Sequence, residues 1–179
     1  MPVWVSLLRA VNLGARNQVN MPRLREALSA NGFRDVRSYV QSGNLMTSSG
    51  HRSPERVAAA VRAVVREHFG VDTPVVVRSP ADLRAVHGWC PFPEAAAAPT
   101  RVHVVHLTAE PDPERLAALL AVDWGEDGIA ARGREIVVRY ASSIERSRLQ
   151  HAVVLRRLGV DGTARNWRTL TALVDLTRG

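Results

Sequence analysis

Short apolar runs and amphipathic helical stretches follow one another here in an order that few folds accept. Val3 to Arg9 is too short for a helix and rich in strand formers, and the turn-rich stretch Asn12-Leu13-Gly14-Ala15-Arg16-Asn17 follows it. Pro22 suits the first turn of a helix, Leu24, Ala27 and Leu28 share one face of it, and Asn31-Gly32 supplies the stop. Val36, Ser38 and Val40 alternate with Arg37 and Tyr39, Ser42-Gly43-Asn44 breaks the run, and Leu45 to Ser48 resumes it, which reads as two strands joined by a tight hairpin. A second helix spans Pro54 to Phe69, with Ser53 as N-cap, Val57, Val61, Val64, Val65 and His68 at helical spacing, and Gly70 as the end. Val75 to Arg78 is a fourth strand. Strand, helix, strand, strand, helix, strand is the βαββαβ pattern of a ferredoxin-like sandwich, with helices on one face of an antiparallel sheet.

A short helix near Ala81 to Val86 leads into Cys90-Pro91-Phe92-Pro93 and on to Pro99, where the prolines disfavour regular structure and a linker is expected. The order then begins again: a strand from Val102 to Thr108, a helix from Pro113 to Ala121, a hairpin of Gly128 to Arg132 and Glu135 to Tyr140, and a helix from Ile144 to Leu158. A terminal helix, Trp167 to Thr177, is expected in place of the last strand, opened by Gly162-Thr163-Ala164-Arg165-Asn166 with Thr163 or Asn166 as cap. The expectation is an α+β duplication of two ferredoxin-like subdomains with antiparallel sheets and an extra C-terminal helix. Residues 1–90 form the first, 91–101 the linker and 102–179 the second.

Charge separates the halves. All 24 basic residues are arginine, and residues 1–90 carry 12 of them against 6 acids, whereas residues 91–179 carry 12 against 11. The positive field thus belongs to the first half, and the planar guanidinium suits phosphate and carboxylate. A GC-rich coding bias would give the same excess without any function. The single cysteine, Cys90, has no partner for an intramolecular disulfide, the N-terminal stretch lacks signal-peptide character, and no run approaches membrane-spanning length. A cytoplasmic protein with no membrane partner is expected.

The stretch LLRAVNLGARNQVNM sets Arg9 at a strand end and Arg16 and Asn17 just before a helix N-terminus, where free N–H groups and the helix dipole favour an anion. A solvated loop whose asparagines satisfy local turns explains the same residues. No lysine is present for a phosphate-loop motif, and neither G-x-G-x-x-G nor G-x-S-x-G occurs. His103 and His106 are three apart on a strand and face opposite ways, and His87 and Cys90 lack further thiols, so neither a metal nor a cofactor is expected. Asp123, Glu126 and Asp127 read as a solvated helix end and hairpin approach, with paired-carboxylate catalysis as the alternative. The third strand, Leu45 to Ser48, carries no aromatic, which argues against base stacking on the sheet as in the common RNA-recognition module. No acid, base or nucleophile stands out, so enzyme activity is left open.

Three blocks, LLRAVNLGARNQVNM, FRDVRSYVQSGNLMTSS and TARNWRTL, together resemble the bacterial domain-of-unknown-function family numbered 1697 over nearly the whole chain. The family pattern in the first block reads closer to LLRGINVGGKNKVPM, so Ala10 and Ala15 stand where it has glycine, Arg16 where it has lysine, and Asn20 where it has proline. The resemblance implies a cytoplasmic α+β protein of two ferredoxin-like subdomains and no established activity. The retained motif positions that could meet a ligand are Arg9, Asn12, Gly14, Asn17, Gln41, Ser42, Gly43, Asn44, Arg165, Asn166 and Trp167, to which Arg16 adds charge. Arginine and carboxamide side chains together suit a phosphate-bearing small ligand or a nucleic acid. The expectation is that the three blocks converge on one polar cleft. An enzyme acting on a small anionic metabolite, or self-association with these residues as a structural network, are the competing readings.

Overall fold

The computed structural model describes residues 1–178, which fall into two compact units, Met1–Leu83 with residues 176–178, and Arg84–Asp175. The division falls inside helix α3 (Pro80–Trp89), upstream of the proline-rich stretch read as a linker. That stretch is not bare connection either: Glu94–Ala97 forms one helical turn, α4, between its prolines, with the Ala98 N–H bonded to the Glu94 carbonyl at 2.7 Å.

In the first unit β1 (Val3–Leu8), α1 (Met21–Ala30), β2 (Arg34–Tyr39), β3 (Asn44–Ser48), α2 (Pro54–Phe69) and β4 (Val75–Arg78) build a four-stranded antiparallel sheet of order β2-β3-β1-β4. Both helices begin as the sequence dictates. Asn20 Oδ1 accepts the Arg23 N–H at 3.0 Å and Ser53 Oγ the Arg56 N–H at 3.3 Å, each cap followed by a proline in the first turn. Gly70 ends α2 in the left-handed conformation at φ 65°. Leu24 and Leu28 of α1 and Val57, Val61, Val64 and Val65 of α2 bury against Trp4, Leu8, Leu45, Val75 and Val77, the side chains of one sheet face.

The second unit has β5 (Val102–Leu107), α5 (Pro113–Leu120), β6 (Gly128–Arg132), β7 (Glu135–Arg139), α6 (His151–Leu158), β8 (Gly162–Asn166) and α7 (Trp167–Leu176), with the same antiparallel order, β6-β7-β5-β8. Two expectations need correction. The fourth strand is present: Gly162–Asn166 pairs with β5 from Leu107↔Gly162 to His103↔Asn166, and α7 follows it instead of replacing it. Its residues show no apolar alternation, and Gly162 stands where the two backbones approach closely. A Cβ at Gly162 would lie 2.5 Å from the His106 carbonyl oxygen. The helix expected from Ile144 is broken as well, into a single 3-10 turn at Ile144–Arg146 and α6. Side chains capture the backbone between them: the Tyr140 hydroxyl donates to the Leu149 carbonyl at 2.8 Å, Ser147 Oγ accepts the Leu149 N–H at 2.8 Å, and Gln150 Nε2 donates to the Ile144 and Ser147 carbonyls. On the hairpin approach Asp127 is half-buried and accepts from the Ala141 N–H and the Ser147 hydroxyl. Among the described residues no helix is long and apolar enough to cross a membrane.

Gly43 fixes where the β2–β3 turn lies against the end of β1. It sits at φ 81°, its carbonyl accepts the Leu8 N–H at 2.9 Å, and a Cβ there would come within 2.6 Å of Val11 Cγ2 and 2.8 Å of Leu8 Cβ. Gly14, at φ 66°, has open space around it. Gly43→Ala should therefore cost roughly 2–4 kcal/mol, strain plus overpacking, and Gly14→Ala about 1 kcal/mol, strain alone. Urea unfolding of the two variants beside the parent measures the difference.

Candidate functional site

The loop leaving β1 is built on left-handed backbone that its side chains hold in place. Five non-glycine residues have positive φ, and four lie in this loop and the neighbouring β2–β3 turn: Ala10 (50°), Asn12 (56°), Asn17 (52°) and Val40 (51°). Asparagine tolerates this region, whereas alanine and β-branched valine enter it only under strain. Asn12 is the clamp. Its Nδ2 donates to the carbonyls of Val19 at 2.8 Å and Gln41 at 2.7 Å, its Oδ1 accepts the Val19 N–H at 2.7 Å, and its own N–H donates to the Asn17 carbonyl at 3.0 Å. Asn17 Nδ2 reaches the Ala10 carbonyl at 3.2 Å, and buried Asn44 donates to the Tyr39 carbonyl at 3.0 Å and to Ser42 Oγ at 3.1 Å. Behind the loop, the Arg9 N–H donates to the Pro74 carbonyl and the Arg9 carbonyl accepts the Thr73 hydroxyl at 2.6 Å.

Nine of the sequence-predicted residues, Arg9, Asn12, Gly14, Arg16, Asn17 and Gln41 to Asn44, thus fall in two loops of the first unit that Asn12 ties together. Their roles divide. Asn12 and Asn44 spend their carboxamides on backbone groups, as does Asn17 on Ala10, while Arg16 and Gln41 are exposed and Arg9 is half-buried at the strand end. At the loop tip Leu13 and Arg16 form an isolated antiparallel bridge.

Arg165, Asn166 and Trp167 belong to the second unit. Arg165 is buried on β8, where its Nη1 donates to Thr163 Oγ1 and the Ala164 carbonyl, both at 2.8 Å, and burial lowers its pKa to about 10. Asn166 caps α7, its Oδ1 accepting the Thr169 N–H at 3.0 Å, and the Trp167 indole stacks on the His87 imidazole with centroids 5.1 Å apart.

Sequence reasoning missed the histidine pair of the second unit. His103 Nδ1 and His151 Nε2 are 2.9 Å apart, His103 Nε2 meets the Thr100 carbonyl at 2.9 Å, and the Tyr140 ring stands edge-on to His103 at 5.0 Å. Burial, then His103 and Arg165, pull His151 down to about 4, and burial pulls His103 below its ordinary range. His106, on the opposite face of β5, instead meets Glu135 Oε2 at 2.6 Å across the β5–β7 pair. No spacing rule pairs residues 103 and 151, since the sheet and α6 bring them together.

These features describe an α+β protein with two four-stranded antiparallel sheets and a carboxamide-clamped, arginine-bearing loop pair. A family of proteins of unknown function, DUF1697, matches residues 1–136, and the chain belongs to that family. Over 98% of both chains the fold is similar to that of the conserved bacterial protein SP0830 from Streptococcus pneumoniae, at a TM-score of 0.77 and 19% identity. No curated protein matches the sequence.

Ala10 sits at φ 50°. Relief of that strain outweighs the added freedom of the unfolded chain, so Ala10→Gly should stabilise the protein by about 0.5–1 kcal/mol, read by urea unfolding. The histidine pair gives a signed pH dependence. Both imidazoles are depressed in the folded state, so the unfolded chain takes up protons first as pH falls from about 6.5 toward 4. The stability they contribute is complete above about 6.5 and declines through this window by on the order of 3 kcal/mol. Unfolding midpoints across pH 4–7 should fall more steeply for the parent than for His151→Gln.

Proposed function

We propose that the loop pair of the first unit binds a phosphate-bearing ligand, a small molecule or a nucleic acid. The observation that carries this reading is the cluster of four non-glycine left-handed residues held by Asn12 and Asn17. Ala10 and Val40 cost on the order of 1–3 kcal/mol each there, and such strain persists at sites where a fixed backbone serves a ligand. The clamped loops display Arg9, Arg16 and Gln41, two cations and a carboxamide suited to oxyanion contact, on the half with the larger excess of arginine. They offer no general acid, base or nucleophile, which favours binding over turnover. Arg165, Asn166 and Trp167 act within the second unit in this reading, as core cation, helix cap and pocket wall.

The shared order β2-β3-β1-β4 and β6-β7-β5-β8, with a helix after the first and third strand of each set, supports reading the chain as two ferredoxin-like βαββαβ repeats with α7 as the extra C-terminal helix. One unpaired, half-buried thiol, Cys90, supports a reducing, cytoplasmic setting. A second reading, self-association or a protein partner at the same loops, is favoured by the exposed apolar side chains Leu13 (65%) and Val40 (53%) at their tips.

Thermal unfolding against phosphate, nucleotides, sugar phosphates and short RNA and DNA, each at low and high salt, tests both readings. A ligand at 100 times its Kd should stabilise the protein by about 2.7 kcal/mol. Arg16→Gln should weaken binding about tenfold, or about 1.4 kcal/mol, at unchanged intrinsic stability. A shift that fades with salt marks nucleic acid. No shift with any of them, and a mass that rises with concentration and is restored to monomer by Leu13→Ser, would replace ligand binding with assembly.

A further inference from the structure

The second unit contains a cavity of about 530 Å³ that takes no part in the loop site. Its walls are fixed before any ligand arrives. Trp167 is held by its ring stack on His87, tilted by 14°, and by the bond from its backbone N–H to the Pro99 carbonyl at 3.1 Å. Phe92 packs on Gly128, where a Cβ would lie 2.7 Å from its ring, and carries the Arg139 guanidinium 5.7 Å above its centroid. A preformed apolar cavity of this size suits a small organic molecule.

The polar groups in the lining select the ligand's charge. His87 Nε2 and Thr171 Oγ1 satisfy each other at 3.1 Å, and the Cys90 thiol, raised by burial, points to the Phe92 carbonyl and stays neutral. Arg168 differs. It lies in the first turn of α7, is exposed, lines the cavity and has no carboxylate partner among the described residues. Among the described residues no aspartate or glutamate lines the cavity, and Glu94, whose charge reaches the Cys90 thiol, faces Arg139 at 3.7 Å. One unneutralised guanidinium beside apolar walls complements a single negative charge on an apolar body, whereas a phosphate monoester carries nearly two charges at neutral pH and calls for more donors.

We infer that this cavity binds a small carboxylic acid with an apolar body, its carboxylate on Arg168 and its body between Phe92 and Trp167. The site uses none of Arg9, Arg16 or Gln41, so its failure and that of the loop site are separable.

Calorimetric titration of the full chain with benzoate and hexanoate, and with the uncharged benzamide and hexanamide, tests the inference. The acids should bind at least ten times more tightly than their amides. Arg168→Gln should erase that ratio and leave the amides unchanged, and Ala96→Trp, which fills the cavity from its exposed rim, should abolish binding of all four. Inorganic phosphate should not displace benzoate. Equal affinity for acid and amide, no binding of either, an unchanged ratio in Arg168→Gln, or displacement by phosphate would each overturn it.

Discussion

Each sheet depends on one central strand bonded along both edges, β1 between β3 and β4 and β5 between β7 and β8. In the first unit this constraint reaches the candidate site directly. Because β3 runs antiparallel to β1, the β2–β3 turn must return to the point where β1 ends, and the Leu8 N–H bonds the Gly43 carbonyl there. The two loops are neighbours by topology. Only glycine fits the approach at residue 43, and only then can Asn12 span from its own loop to the Gln41 carbonyl.

Elements whose cause is local were legible in the sequence. Helix α2 matches from Pro54 to Phe69 because its cap, its proline, its valine spacing and its terminal glycine all lie within the segment. β1, β4 and β5 were legible as apolar runs bounded by turns. Strand β8 was not, since Gly162-Thr163-Ala164-Arg165-Asn166 is made a strand by its ladder with β5 and by the tolerance of Gly162 for the His106 carbonyl. The break before α6 was hidden for the same reason, because Tyr140, Ser147 and Gln150 take backbone groups that an isolated segment would use in a helix.

The site was legible as residue types and much less as roles. Asparagine in a turn-rich stretch can hold a ligand or hold the chain, and the choice depends on which carbonyls lie within reach. At Asn12 the reachable carbonyls are those of Val19 and Gln41, one of them 29 residues away, so the clamp is a tertiary fact. Val40 adds a β-branched residue in left-handed backbone, a conformation that no propensity scale assigns to it. Local preference and final structure disagree most in these two loops, which is where a stable scaffold leaves room for function.

Arginine makes the same point about charge. Composition presents 24 equivalent cations, and the fold makes them unequal. Arg165 is enclosed on β8 and gives its donors to Thr163 and the chain, so its charge works inside the core, where it helps hold His151 neutral. Arg139 lies over Phe92, and Arg148 and Arg157 lie over the Trp124 ring at 5.9 and 5.4 Å, so part of their charge meets aromatic faces. Arg16 on the clamped loop and Arg168 beside the apolar cavity are exposed cations in different surroundings, a polar loop in one case and hydrocarbon in the other. A guanidinium on a polar loop favours a strongly hydrogen-bonding oxyanion, and a guanidinium beside apolar walls favours an anion that brings its own apolar surface. At the two proposed sites, the surroundings of each arginine, more than the excess of arginine, would set the kind of anion bound.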